Sequence, residues 1–196
     1  MKKTKPQVFI VESLRFSDEG EGISEGRRIF DMLALSGKEC RYVYIRTKVE
    51  LEEVLEQFWD SRYRYLHFSC HANANGMDTT LDHIPYEELT QLLEPYLEKR
   101  RLFLSACRMS RLSFAKGLIL RADCMSVLGP SAKVDMADAA IFWAAFYHKM
   151  FRINSEAMKH VEVLDTARMF SSAFSIPLNL FRLRIGRCAH YSIRPK

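Results

Sequence analysis

The chain has no C-x-x-C pair, and its five cysteines (Cys40, Cys70, Cys107, Cys124, Cys188) are odd in number and widely spread. That argues against both a disulfide framework and a zinc ribbon. Most free cysteines in a reducing setting are small buried hydrophobes, which leaves room for one kept for its reactivity. Phosphate-cradling loops are missing too. There is no G-x-G-x-x-G and no Walker A sequence, so neither kind of nucleotide site has local support. The longest strongly apolar stretch, Ala137 to Tyr147, is broken by Asp138 and is too short to cross a bilayer. No apolar signal segment or small-residue cleavage site follows the basic opening Met1–Pro6, so the cytoplasm is the expected location. Internal repeats, low-complexity tracts and linkers are absent as well.

What is present is the balance of an ordinary globular domain. The 196 residues are 48% hydrophobic and 27% charged, which suits a single domain over residues 1–196 with a sizeable core. The net charge of +5 is modest. Its basic residues are spread over the N-terminal lysines, Lys99–Arg101 and the C-terminal arginines, so a nucleic-acid partner is not expected, nor a membrane.

Apolar runs alternate with amphipathic helical patterns, the arrangement of a mostly parallel sheet covered by helices on both faces. Strands are expected at Gln7–Glu12, Arg41–Arg46, Arg64–Ser69, Arg101–Ser105 and Cys124–Leu128. A polar loop over Ser17–Gly22 precedes a helix that runs to about Leu35, with Gly37 just past its end. Thr47 and Glu50 have the form of a capping box, and Leu51, Val54, Leu55 and Phe58 share one face of the helix it opens. Pro85 suits the first position of a helix carrying Leu89, Leu92 and Leu93, which Pro95 ends or kinks. Two longer helices follow, over about Asp135–Arg152 and Ser155–Phe170, the second capped by Asn154. The alternation of Phe181–Ile185 predicts an antiparallel strand closing one edge of the sheet.

In an open parallel sheet, ligands bind beyond the C-terminal ends of the strands. The third strand delivers His71 there, directly after Ser69-Cys70, and the fourth delivers Cys107 after Ser105-Ala106. Adjacent parallel strands lie about 4.8 Å apart, which brings imidazole and thiol to one rim. A thiol becomes a nucleophile as its thiolate, and a neighbouring imidazole supplies the base. Cys70 is the rival nucleophile. Extended geometry turns it to the opposite face from His71, where core packing accounts for it. His67, inside the strand, is a core residue, and Trp143, Phe146, Tyr147 and Met150 have core spacing on their helix. A metal held by Cys70, His71 and Cys107 would lack a fourth ligand and the usual spacing, so no metal or other cofactor is expected.

Leu66-His67-Phe68-Ser69-Cys70-His71-Ala72 resembles the histidine strand of caspase-like cysteine peptidases. Leu102-Phe103-Leu104-Ser105-Ala106-Cys107-Arg108 resembles their nucleophile strand, matching the caspase signature Q-A-C-[RQG]-G at Ala106, Cys107 and Arg108. The 36-residue spacing from His71 to Cys107 and the leading Leu-Ser-Ala-Cys are similar to the CHAT branch, related to separase. So are Val127-Leu128-Gly129, the loop with Asp135 and the helix carrying Phe146-Tyr147. The resemblance runs from about Val8 to Ala167. It implies a three-layer caspase-like sandwich and a cysteine endopeptidase with a His71–Cys107 dyad. It further implies a regulated protease of a death or defence pathway, acting on protein or peptide substrates under a separate regulatory protein. The family's glycine after the histidine is Ala72 here, whose backbone N–H remains available to an oxyanion. Where relatives carry Asp or Gln two residues before the nucleophile to shape the S1 pocket, this chain has Ser105. Asp135 and Asp138 could recognise a basic substrate side chain, and they also fit as the cap and first-turn acid of a helix. Ala72 and Ser105 favour the alternative of a catalytically inactive caspase-like module used for protein binding. A Rossmann-like nucleotide domain is the third class.

Overall fold

Val8, Phe9, Ile10 and Val11 are all buried, and they alternate between two separate cores. That alternation in strand β1 (Lys5–Ser13) sets the architecture: a sheet buried on both faces. The computed structural model describes residues 3–22 and 24–196; Met1 and Lys2 of the basic opening, and Ile23, lie outside it. Beyond β1 come the short helix α1 (Phe16–Glu19), α2 (Glu25–Leu35), β2 (Cys40–Tyr44), α3 (Lys48–Ser61) and β3 (Tyr63–Ala72). A hairpin of β4 (Gly76–Asp78) and β5 (His83–Pro85) leads into α4 (Tyr86–Leu93). The rest of the chain forms β6 (Arg101–Leu104), α5 (Leu112–Arg121), β7 (Ser126–Pro130), α6 (Met136–Ile153), α7 (His160–Phe174), β8 (Leu178–Arg184) and β9 (Arg187–Ile193).

The strand order is β2-β1-β3-β6-β7-β8-β9, with β2 to β7 on this path parallel and β8 and β9 antiparallel. Helices α3, α4 and α5 pack with Phe9, Leu66, Leu102 and Leu104 on one face. Helices α2, α6 and α7 pack with Val8, Ile10, Tyr65 and Phe103 on the other. The chain leaves β1 first toward β2 and then crosses to β3 on its other side, so the switch point that opens a crevice in such sheets lies between β1 and β3.

Local chemistry follows the sequence closely in places. Thr47 and Glu50 form the capping box of α3, and Leu51, Val54, Leu55 and Phe58 are its buried face. Pro85 stands one position before the helix, at the N-cap of α4 rather than its first residue, and Pro95 sits in the 3-10 turn that ends it. Elsewhere the boundaries move. β3 runs on to Ala72, because residues past Ser69 gain a new antiparallel partner in β4. The strand expected from Cys124 starts at Ser126 and extends through Pro130 against β8. Asn154 does not open α7. Its side chain accepts from the Glu156 and Ala157 N–H groups in a local turn, and the helix starts only at His160. The edge of the sheet is not the segment around Phe181, which lies in β8, but β9 beyond it.

Candidate active site

Strands β3 and β6 run side by side in parallel, with Phe68 opposite Leu104. The Ser105 N–H still donates to the Phe68 carbonyl at 2.7 Å, and there the ladder ends. His71 lies three residues beyond Phe68 within β3, and Cys107 lies three beyond Leu104, in the turn that follows β6. Period-2 alternation places Tyr65, His67, Ser69 and His71 of β3 on the α2/α6 face beside Phe103 of β6, and Ser105 and Cys107 join Ser69 and His71 there in one cavity with Glu25 of α2 and Met136 and Ala139 of α6. This face changes character along its length. Its base is aromatic, its middle hydroxylic and its rim reactive.

The imidazole of His71 is held from β1's side of the crevice. Its Nε2 lies 2.9 Å from Asp18 Oδ2 in the short helix α1 that follows β1, and both side chains are about a quarter exposed. The Ser17 hydroxyl, and then His71 and Arg15, hold the Asp18 carboxyl below the usual carboxylate range. Asp18 went unnoticed because the segment from Ser17 to Gly22 reads as a polar loop, whereas the structure forms the one-turn helix α1 over Phe16–Glu19.

Cys107 occupies a turn closed by the Met109 N–H on the Ala106 carbonyl at 3.3 Å. Arg108, next in the turn, has φ of 58°. A side chain there is strained by about 1 kcal/mol, a strain of the kind found at functional sites. The thiol packs under the loop before α6. Val134 N–H points at Sγ at 3.5 Å, and Sγ–H points at the Val134 carbonyl at 3.6 Å. His71 and Cys107 line one cavity, and no direct hydrogen bond joins them. Cys70 packs against the α3/α5 core while also bordering this cavity, and burial pushes its thiol well above the ordinary range. That is a poor nucleophile.

Ala72 ends β3 opposite Met77, with a φ outside the left-handed region. The Asn73 N–H donates to the Gly76 carbonyl at 3.0 Å. Because antiparallel pairs alternate, the next pair leaves the Ala72 N–H pointing away from β4. Ser105 lines the cavity, but its hydroxyl is spent on the Glu25 carboxyl. Asp135 caps α6, accepting from the Ala137 N–H at 2.9 Å, and lines neither the dyad cavity nor the neighbouring groove.

Beneath the pair lies a polar network that the sequence did not announce. Glu12 of β1 is fully buried and accepts from the Gly26 N–H at 2.7 Å, the Tyr42 hydroxyl at 2.8 Å and the Ser24 hydroxyl. Glu25, first in α2, is 4% exposed and bonds Ser69 at 3.0 Å as well as Ser105. Burial pushes the Glu25 carboxyl up to about 8, the Glu12 charge adding to it and the serine hydroxyls opposing. The only outward signal was a serine in each apolar strand, two residues before the reactive one. Deeper still, His67 is buried edge-on to Trp143 with Nδ1 2.9 Å from the Tyr147 hydroxyl, and burial lowers it to about 3.

The cavity holding His71 and Cys107 measures about 50 Å³. A larger apolar groove of about 810 Å³ runs outside it between α2 and α6, and Glu25 and Met136 line both. Among the described residues, no cluster of three or more His, Cys, Asp or Glu side chains could hold a metal.

Known structures share this arrangement of strands. A secreted C11 cysteine protease from Bacteroides thetaiotaomicron, iotapain, superposes with a TM-score of 0.56 at 11% identity, covering 92% of this chain and 67% of that one. The Arg-specific cysteine proteinase gingipain R superposes with a TM-score of 0.57 at 13% identity, covering 86% of this chain and 42% of that one. For caspase-1 from Spodoptera frugiperda the figures are 0.54 and 14%, with 88% and 79% covered. The chain therefore has the caspase-like α/β fold, a central mostly parallel sheet with an antiparallel C-terminal edge. It spans about two thirds of the length of the C11 protease and about two fifths of gingipain R. No protein-family model matches the sequence, and no curated protein does.

Proposed function

We propose that the chain is a cysteine endopeptidase acting on protein or peptide substrates through His71 and Cys107. The observation that carries this reading is that His71, near the end of β3, and Cys107, in the turn after the neighbouring parallel strand β6, line one cavity. Cys107 Sγ gives up its proton to His71 and attacks the scissile carbonyl carbon. Backbone N–H groups at Ala72 and Cys107 receive the oxyanion. The imidazolium returns the proton to the leaving amine, and the neutral imidazole then takes one from the water that hydrolyses the thioester. Asp18 holds the ring in place throughout. To begin, the thiol exchanges its contact with Val134 for one with His71, so the cover formed by this loop suits a protease under control. Ser105 and Asp135 stand nearest the roles of pocket floor and substrate acid, and both already serve structural partners.

The motifs similar to the CHAT branch extend the proposal to a cytoplasmic protease of a death or defence pathway, with a separate regulatory protein. The five cysteines are all free thiols, which suits that compartment. The second reading, a binding module without catalysis, rests on the Val134 contact of Cys107. The test is mass-spectrometric mapping of new protein N-termini in lysate treated with wild type, Cys107→Ala or His71→Ala. New termini made only by wild type support the peptidase. Equal cleavage by all three, or none by any, moves the binding module to first place.

A further inference from the structure

Past Leu104, β6 has no ladder bonds to β3 other than that of the Ser105 N–H, yet the reactive residues lie beyond that point. Something else must hold the strand ends together. Ser69 and Ser105 face the same way as His71 and Cys107, two residues before each. Both hydroxyls converge on the two oxygens of one carboxyl, that of Glu25, which enters from the first turn of α2. We propose that Glu25 is a positioning residue for the reactive pair, clamping Ser69 of β3 to Ser105 of β6 and thereby fixing the spacing of imidazole and thiol. The proposal rests on the dyad reading above and adds to it a group that touches neither substrate nor the reacting atoms.

The hydrogens in this cluster can be counted. The Ser69 hydroxyl lies 3.0 Å from Glu25 and 3.3 Å from Glu12, and it has one hydrogen to give. With a proton on Glu25, the carboxyl donates to Ser69 Oγ and Ser69 donates to Glu12, so every atom is satisfied. Without that proton, two buried carboxylates compete for one hydrogen and repel each other. The clamp therefore works with Glu25 neutral, the state that burial favours up to about pH 8. The titratable and charged groups around it are Glu12 of β1, with Tyr42 of β2 behind it. Cys70 and His71 come from β3, Cys107 from the turn after β6, Tyr147 and His148 from α6, and Arg28 from its own helix. Of these, Glu12 is the charge that acts on Glu25.

Glutamine keeps a neutral donor and acceptor in place and cannot ionise. Alanine removes the clamp. The experiment follows alkylation of Cys107 by iodoacetamide, read by mass spectrometry on the full chain, and needs no substrate. The His71-dependent factor is the wild-type rate divided by that of His71→Ala, and each clamp variant is compared with its own His71→Ala double. We expect Glu25→Ala and the Ser69→Ala/Ser105→Ala pair to lose about tenfold or more of this factor, the usual consequence of a misplaced reactive group. Glu25→Gln should keep it within about threefold. Above pH about 8, where free thiols begin to ionise unaided, the factor should fall in both proteins and fall further in wild type than in Glu25→Gln. The positioning role is overturned if folded Glu25→Ala keeps the full factor, or if wild type and Glu25→Gln share one pH profile. If His71→Ala leaves Cys107 alkylation unchanged in wild type, the dyad itself fails and the clamp with it.

Discussion

His67 should make the fold acid-sensitive, and the size of the effect can be worked out. Its ring is buried, edge-on to Trp143, with one partner, the Tyr147 hydroxyl, and with Nε2 unpaired. Burial lowers the imidazole to about 3, against about 6.5 in an unfolded chain. The folded state thus refuses a proton that the unfolded state accepts between those values. This contribution to stability is complete above pH about 6.5 and is lost as pH falls toward about 3. At pH 5 the loss is about 2 kcal/mol, and near pH 3 it approaches about 5 kcal/mol. The double variant His67→Phe/Tyr147→Phe removes the titrating group and the hydroxyl that would otherwise be stranded. Urea denaturation of both proteins at pH 7 and pH 5 should show the difference in unfolding free energy moving toward the variant by about 2 kcal/mol. A difference that stays constant between the two pH values would refute the reasoning, because every group the two chains share cancels.

Three further outcomes follow from single residues. For Glu25→Gln the sign is reversed. Wild type loses stability as pH rises from about 4.5 to about 8, so the variant's relative stability should climb over that window by several kcal/mol and level off above it, seen in paired denaturation curves. Gly129→Ala would place a Cβ 2.7 Å from Leu104 Cβ and 2.9 Å from the Leu104 carbonyl oxygen, pressing β7 onto β6. It should cost about 1–3 kcal/mol, and an unchanged denaturation midpoint would count against the packing described here. Asp135→Ala should cost about 1 kcal/mol by uncapping α6 and leave the cleavage-site preference as it was. An altered P1 preference among mapped termini would return Asp135 to substrate recognition.

The parallel sheet was legible because its strands are short apolar runs separated by amphipathic helices, and the positions of His71 and Cys107 followed from where those runs stop. β9 was not legible. The turn before it uses Ile185 and Gly186, both with positive φ, and a β-branched residue in that conformation hides the hairpin signal. Cys188, Ala189 and Ser192 also give β9 little apolar alternation. The start of α7 was misplaced because Asn154 serves a local turn as readily as a helix cap. Glu25 and Asp18 escaped for a common reason. A carboxylate near a helix start looks like a solvated dipole partner, and only the fold reveals that one is buried under two strands and the other faces an imidazole.

The sharing of hydrogens among Glu12, Glu25, Ser69 and Ser105 also bears on how such a chain could diverge. Replacing one member strands a buried donor or acceptor at a cost of about 1–3 kcal/mol, a large part of a small domain's margin. Ser69 and Ser105 lie 36 positions apart, and Glu25 comes 44 before Ser69. Descendant sequences would nonetheless be expected to exchange these positions as a set, a carboxyl and two hydroxyls giving way together to apolar side chains of similar bulk. The site would then drift in jumps, while the aromatic layer below it could change one residue at a time.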